Sequence, residues 1–214
     1  MKKTLITLVV LGMSTLSANA FDRGDLSLTL GVAANTAVYG ASGTENNKTD
    51  TNTQGDIKKE HGVFTDGHQS MFMEANIGQW VSLGYEHTPD SISTPENKSR
   101  EGINESKVSV DFNDLDTAYL KLNTPYGIYA KFGIVETDLD IKETMASGRT
   151  YSNVSTEGTI MGLGYSKALG ERGFAIRVEG TYMTLDSVNT DNGVSATGGD
   201  DSNGGQNKIT VDHM

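Results

Sequence analysis

The chain has 214 residues, with 25 Gly against 3 Pro, no Cys, and 17 Lys and Arg against 28 Asp and Glu, giving a formal charge of −11. Without cysteine there are neither disulfides nor thiolate chemistry, so stability has to come from backbone pairing and packing. The acidic balance offers no basic stripe to neutralise phosphates, which argues against nucleic acid as a partner.

In chain order, MKKTLITLVVLGMSTLSANA comes first: Lys2 and Lys3, an apolar stretch from Leu5 to Met13, and the small triplet Ala18-Asn19-Ala20. This is the pattern of a secretory signal peptide over residues 1–20, an apolar helix cleaved before Phe21. The stretch falls short of the roughly 20 apolar residues a spanning helix needs. No second long apolar run follows, so residues 21–214 are read as one exported domain.

That domain repeats one pattern seven times, apolar residues alternating with small or polar ones at period two. The apolar sets are Leu26, Leu28, Leu30, Val32 and Ala34; Met71, Met73, Ala75 and Ile77; Val81, Leu83 and Tyr85; Ala118, Leu120 and Leu122; Ile128, Ala130, Phe132 and Ile134; Thr159, Met161, Leu163 and Tyr165; and Phe174, Ile176, Val178, Gly180 and Tyr182. Short turns near 78–80, 123–127 and 167–173 alternate with long polar connections near 40–69, 88–114, 138–157 and 187–207. In an up-and-down meander this puts the tight turns at one end and the long connections at the other. Compact soluble domains rarely carry four such loops; outer-membrane barrels do. The expected fold is therefore all-β, an antiparallel transmembrane barrel of the eight-strand class.

The opposite faces hold Gly31, Ala33, Gly84, Gly133, Gly162, Gly164 and Ala175, small residues suited to a crowded lumen that eight strands leave just wide enough to fill. Trp80, Tyr126, Tyr165 and Phe174 near the short turns, and Tyr39, Tyr85 and Tyr182 towards the long loops, are expected to form two aromatic girdles at the lipid interfaces. Glu74, Glu86, Lys121, Lys131, Arg177 and Glu179 share the inward parity at similar heights above the short turns. Buried ions have to be paired, so these three acids and three bases are expected to form one interior network that plugs the lumen. Asp114 and Asp116 share the parity of outward Ala118 and Leu120, and must sit at the outer rim or follow a bulge. After Gln206-Asn207, Ile209 and Val211 begin an eighth alternation that stops at His213-Met214, short of the roughly 9 to 11 residues of a spanning strand. The chain is thus expected to carry seven full strands and the start of an eighth.

The signal peptide, the strand-and-loop rhythm, DFNDLDTAYLKLNTPYGIYAKFGIV and MGLGYSKALGERGFAIRVEGTYM together resemble the small eight-stranded outer-membrane proteins: the OmpA transmembrane domain, OmpX and the opacity-type surface proteins. The resemblance covers nearly the whole mature chain. It implies a non-enzymatic protein of the Gram-negative cell envelope that supports envelope integrity, adhesion or host interaction, with narrow pores in some members. No catalytic residue carries over. That group normally ends on an apolar strand with an aromatic last residue, so the alternation that stops at His213-Met214 is expected to reflect either a fragment truncated in its last strand or a barrel whose closure is incomplete.

His61, His68 and His87, with Asp66 and Asp90, match no zinc spacing, and Asp191-Asn192-Gly193 and Gly198-Gly199-Asp200-Asp201 lack the ligand order of a calcium loop. The segment GLGYSKALGERG lies on a strand and its turn, out of context for a nucleophile elbow or a phosphate loop. The expectation is therefore no enzyme, no cofactor and no metal. The partners expected are outer-membrane lipid and a surface or host ligand at the loops, with the protein a monomer. Three alternatives stand beside it: a small porin-like diffusion channel, an outer-membrane acyltransferase or protease, and a soluble periplasmic binding sandwich.

Overall fold

The computed structural model describes residues 26–49, 52–101, 104–144, 151–170, 174–191 and 207–212. The expected signal peptide and its cleavage point lie outside these residues.

The described residues hold eleven strands: β1 (Leu26–Thr49), β2 (Asn52–Ile77), β3 (Val81–Thr88), β4 (Ile92–Ser93), β5 (Asn97–Glu101), β6 (Asn104–Asn123), β7 (Ile128–Thr144), β8 (Val154–Leu169), β9 (Phe174–Leu185), β10 (Val188–Asp191) and β11 (Asn207–Asp212). All belong to one antiparallel sheet, ordered β10-β11-β1-β2-β3-β6-β7-β8-β9, with β4 and β5 also on β6. Because β3, β4 and β5 all lie along β6, they share one row. β10 prolongs the path of β9 after Asp186 and Ser187.

The short-turn end follows from turn chemistry. In Thr124-Pro125-Tyr126-Gly127, Pro125 presets its own φ and Gly127 takes φ 84°, a left-handed value that costs a glycine nothing. The turn is closed by Gly127 N–H donating to Thr124 O at 3.1 Å and Thr124 N–H to Ile128 O at 2.9 Å. Gly78, at φ 59°, serves the β2–β3 turn in the same way.

The sheet is strongly curled into a half-barrel. β2 and β9 are five strand-to-strand steps apart in the pairing order, roughly 24 Å along a flat sheet. Yet Glu74 on β2 and Arg177 on β9 meet at 2.5 Å. Only a sheet rolled towards the side that bears them allows that contact.

Rolling in this direction inverts the usual burial. Leu30 is 70 % exposed and Leu163 69 %, with Leu28, Val32, Ile176 and Val178 exposed beside them, whereas Glu74 is 1 % exposed and Lys131 2 %. The apolar side of each ribbon is the convex one, and no second protein layer covers it among the described residues.

The outer half of the molecule departs from the sequence reading. The connections near 40–69, 88–114 and 138–157 are to a large extent strand. β1 and β2 stay in register from Leu26↔Ile77 up to Asn47↔Asp56 and, after a shift, end at Thr49↔Asn52, β4 and β5 lie along upper β6, and β6 pairs β7 as far as Lys107↔Thr144. These stretches lack the apolar–polar alternation that marks a strand in sequence, but their backbone groups still satisfy one another by ladder pairing. Of 187–207, the described parts are β10 and the start of β11; residues 192–206 lie outside.

A further core sits on the inner side of this outer half. Tyr39, Ile92, Phe112, Leu115, Val135, Leu139 and Leu185 are buried together, with Phe64, Val110, Val154, Met183 and Val188 packed against them. β6 joins it through a bulge: the β6–β7 register shifts between Asn113 and Asp116, and Asp114 takes φ 50°. One extra residue reverses the facing of the strand. Leu120 and Leu122 therefore point outward below the bulge while Val110 and Phe112 point inward above it. Of the two places allowed for Asp114 and Asp116, the structure adopts the bulge.

Candidate functional site

The functional candidate is the layer of ions on the concave side. Its geometry starts from a pairing that looks wrong: Lys121 and Lys131 are directly opposite each other across β6 and β7. Like charges in that relation repel. Each lysine instead finds acids on other strands, and the six ions divide into two triads.

In the first triad, Glu74 takes both cations of its neighbourhood. Lys121 Nζ donates to Oε2, and Arg177 Nη2 to Oε1 at 2.5 Å. Tyr119 adds its hydroxyl to Oε1 at 2.8 Å. The second triad reverses the signs, with one cation between two acids. Lys131 Nζ donates to Glu86 Oε2 at 2.7 Å and to Glu179 Oε1 at 2.9 Å. The remaining oxygens are taken by Ser70 Oγ, 2.6 Å from Glu86 Oε1, and by the Tyr129 hydroxyl, 2.7 Å from Glu179 Oε2. All six carboxylate oxygens thus receive a donor, the condition under which ions are tolerated away from water.

Small cross-strand neighbours make room for these long side chains. Glu74 is paired with Gly84, Lys121 with Ser82, Lys131 with Gly162, and Glu179 with Gly164. Three aromatic rings use the same device. A Cβ on Gly84 would lie 2.2 Å from the Tyr119 ring, one on Gly164 2.2 Å from Tyr129, and one on Gly31 2.1 Å from Phe72. The rings lie flat over glycines on the next strand and so reach the middle of the layer. There they link the triads: Lys131 stands over the Tyr119 ring at 4.4 Å, Lys121 over Tyr129 at 5.1 Å, and Arg177 over Phe72 at 4.3 Å. Such cation–π contacts are worth about 2 kcal/mol where water is excluded.

Sequence reasoning named all six ions but not Tyr119, Tyr129, Phe72 or Ser70 as members of the layer. The signal was available, because Tyr119 and Tyr129 share parity with Lys121 and Lys131. What the pattern does not hold is that a ring would cross to the adjacent strand rather than fill its own.

Neutral groups bracket the ions. Towards the short turns, Asn76 donates to Thr29 Oγ1 at 2.8 Å and accepts from Ser82 Oγ at 2.7 Å, while Asn123 donates to Ser82 Oγ at 2.9 Å. Towards the outer core, Asn35 donates to Ser70 Oγ at 3.0 Å, and the Tyr39 hydroxyl lies 3.2 Å from His68 Nδ1.

Tyr39 requires a correction. It was expected in the outer aromatic girdle, but it is 4 % exposed, stacks on Phe64 at 5.1 Å and belongs to the inner core. Strict alternation from outward Leu26 makes residue 39 inward; nearness to the outer end was the wrong guide. Trp80, Tyr126, Tyr165, Phe174 and Tyr182 are exposed on the convex side. Tyr85 is half-buried, its hydroxyl donating to Asp116 at 2.7 Å.

Among the histidines with candidate chemistry, His87 Nδ1 pairs with Asp116 Oδ1 at 2.6 Å on the outward side of β3 and β6, and His68 faces inward. Asp90 accepts the Gln69 amide at 3.0 Å from 21 residues away in sequence, and Asp66 the adjacent Gly67 amide at 2.8 Å, both from backbone N–H groups. Among the described residues, no three His, Cys, Asp or Glu side chains are grouped so as to hold a metal ion. The segment around Asn192 to Asp201 lies outside those residues. Chemically, the ion layer can hold strands together and obstruct passage along the concave side. No protein-family model matches the chain, and no curated protein is significantly similar to it.

Proposed function

We propose that the chain is an exported outer-membrane β-barrel protein of the OmpA-like, eight-strand class, with a structural or surface-interaction role rather than an enzymatic one. The inverted burial carries this reading. Leaving a Leu, Val, Ile or Phe side chain in water forgoes about 1.5–3 kcal/mol, and the convex face presents Leu28, Leu30, Val32, Phe132, Leu163, Ile176 and Val178 together. Monomeric soluble proteins do not expose contiguous apolar surface on that scale. Hydrocarbon chains are the solvent that suits it, and Trp80, Tyr126 and Tyr182 near its two borders suit the headgroup levels.

On this reading the short turns are periplasmic, and the extended β1–β2 and β6–β7 hairpins project outside, where they meet surface or host ligands. The two triads plug the lumen: every ion is committed to a partner on another strand, so a hydrated ion passing through would have to displace one. The protein acts as a monomer in lipid.

The test is fractionation followed by a comparison of boiled and unboiled samples of detergent-extracted protein on a gel. Recovery with outer membranes and faster migration of the unboiled band are expected. A freely soluble monomer would overturn the membrane reading. Steady conductance of the wild type in planar bilayers, unchanged in Lys121→Met and Lys131→Met, would overturn the plug in favour of a small diffusion channel.

A further inference from the structure

The strand register shows where the apolar side of the sheet begins and ends. Val32, Met71, His87, Asp116, Glu136 and Glu157 stand opposite one another in a single row across β1, β2, β3, β6, β7 and β8. The row is apolar on β1 and β2 and carries carboxylates from β6 to β8. One outward position closer to the short turns, Tyr85, Ala118 and Ile134 are apolar but Thr159 and Thr184 are not; one position further, Phe132, Met161 and Tyr182 continue the apolar row to β9. The upper limit of the apolar residues thus drops by roughly 14 Å along the strands while crossing roughly 29 Å of sheet from β1 to β9. The lower limit descends in the same sense, from Leu26, Ile77 and Val81 through Ile128 to Phe174, by roughly 20 Å over the same width. Two borders that descend together mark one belt, crossed by strands tilted roughly 30°, close to the tilt of strands in membrane barrels.

We propose that the partner of this face is a bilayer whose hydrocarbon core is thinner than the ordinary outer-membrane band. The inference rests on the membrane reading and names the lipid that reading requires. The apolar windows run from Val81 to Tyr85 on β3 at the shortest and from Phe174 to Tyr182 on β9 at the longest, with a mean of roughly 22 Å of strand at about 3.4 Å per residue. A tilt of roughly 30° turns that into a belt roughly 19 Å tall, against about 25 Å for the apolar band of outer-membrane barrels. The shortfall equals one outward position on each strand, roughly 6 Å of height. From β6 to β8 that position is held by Asp116, Glu136 and Glu157. Asp116 is fixed there by the Tyr85 hydroxyl at 2.7 Å and by His87 Nδ1 at 2.6 Å. Carboxylates do not remain ionised in hydrocarbon, so a bilayer of ordinary thickness has to thin beside β6, β7 and β8, whereas a thin one meets the belt undeformed. At the opposite border Lys167, opposite Ile176 and of the same outward parity as Tyr165, has a stem long enough to carry its ammonium to the headgroups at the short-turn side.

The full-length protein and its Asp116→Leu/Glu136→Leu/Glu157→Leu variant are inserted into fluid phosphatidylcholine vesicles whose chains run from about 10 to about 20 carbons, and the urea midpoint of unfolding is read in each. The wild type is expected to be most resistant near the short end, at about 12 carbons, and to lose resistance with each lengthening. The triple variant, whose belt gains one outward position on three strands, is expected to peak at chains about two to four carbons longer, whatever its absolute stability. Glu157→Leu alone, at an exposed position, should move the peak in the same direction by less, so the test survives if the triple variant does not fold. A wild-type midpoint that is flat across the series or highest in the longest chains would overturn the thin belt, and so would variant peaks that coincide with the wild type. Flotation of the same samples separates the two readings. Protein that floats with the vesicles yet gives either of those results keeps the membrane and loses the thin belt; protein that floats with none of them loses both.

Discussion

Lys131→Met is the sharpest probe of the ion layer. Among the described residues, Lys131 is the only cation hydrogen-bonded to Glu86 and Glu179, at 2.7 and 2.9 Å, and its ammonium also lies over the Tyr119 ring. Methionine keeps the length and removes the charge, leaving two carboxylates that retain only Ser70 and Tyr129 as donors. Breaking a buried pair in this way costs about 3–5 kcal/mol. Lys121→Met should cost less, about 1.5–3 kcal/mol, the range for one hydrogen bond to a charged group, because Glu74 keeps Arg177 and Tyr119. The order of the two effects is therefore fixed by which acid is left without a cation, although both lysines are equally buried. The assay is urea unfolding in detergent micelles, followed by the fluorescence of Trp80, the one tryptophan of the chain, on the exposed apolar face. A Lys121→Met loss equal to or larger than that of Lys131→Met would refute the division into triads. Losses below about 1 kcal/mol for both would place the ions in water-accessible surroundings instead.

Three other outcomes can be checked alongside. Gly84→Ala drives a methyl group into the Tyr119 ring and should cost about 1–3 kcal/mol of overpacking, whereas Gly40→Ala, with nothing within 4 Å of the added Cβ, should unfold at close to the wild-type urea concentration. Leu163→Arg on the convex face should destabilise the protein in lipid vesicles by about 2–4 kcal/mol if that face meets the bilayer midplane, and an unchanged or improved stability in vesicles would count against lipid contact. Burial holds the His68 pKa below its ordinary 6.5, against the carboxylates of Glu86, Asp66 and Asp90. The folded protein then binds that proton less readily than the unfolded chain, so stability present above pH 6.5 is lost as pH falls through the folded value. The urea midpoint should drop between about pH 7 and about pH 5, with a smaller drop in His68→Gln.

Much of the inner half of the fold is legible in the sequence, because one physical requirement acts on every strand there. The face bearing Leu28, Phe132 or Ile176 has to differ from the face bearing Glu74, Lys131 or Arg177, and period two records the difference directly. The grouping of the ions is not legible. Lys121 and Lys131 are opposed in register, and which acid each one reaches depends on how far the sheet rolls. Glu74 and Arg177 are 103 residues apart in sequence and several rows apart in the sheet, so local pattern holds no trace of their contact. The outer half escaped for a different reason. Between Gly40 and Gln69 the residues are mostly Gly, Thr, Asn, Asp and Lys on both faces, so a paired ribbon reads like a loop. The core formed by Tyr39, Phe112, Leu139 and Leu185 draws one or two residues from each of several strands, too sparse in any single stretch to stand out.

The bulge at Asp114 gives β6 two independent writing frames. Below it, the odd-numbered positions Tyr119 and Lys121 belong to the lumen; above it, the even-numbered Val110 and Phe112 do. A hairpin spliced in above Asn113 would bring its own inside and outside without disturbing the outward facing of Leu120 and Leu122, so the half above the bulge can be exchanged by evolution or by an engineer as a cassette. Excising Asp114 alone would remove the bulge and put both halves in one frame, with Phe112 still facing inward opposite Leu139.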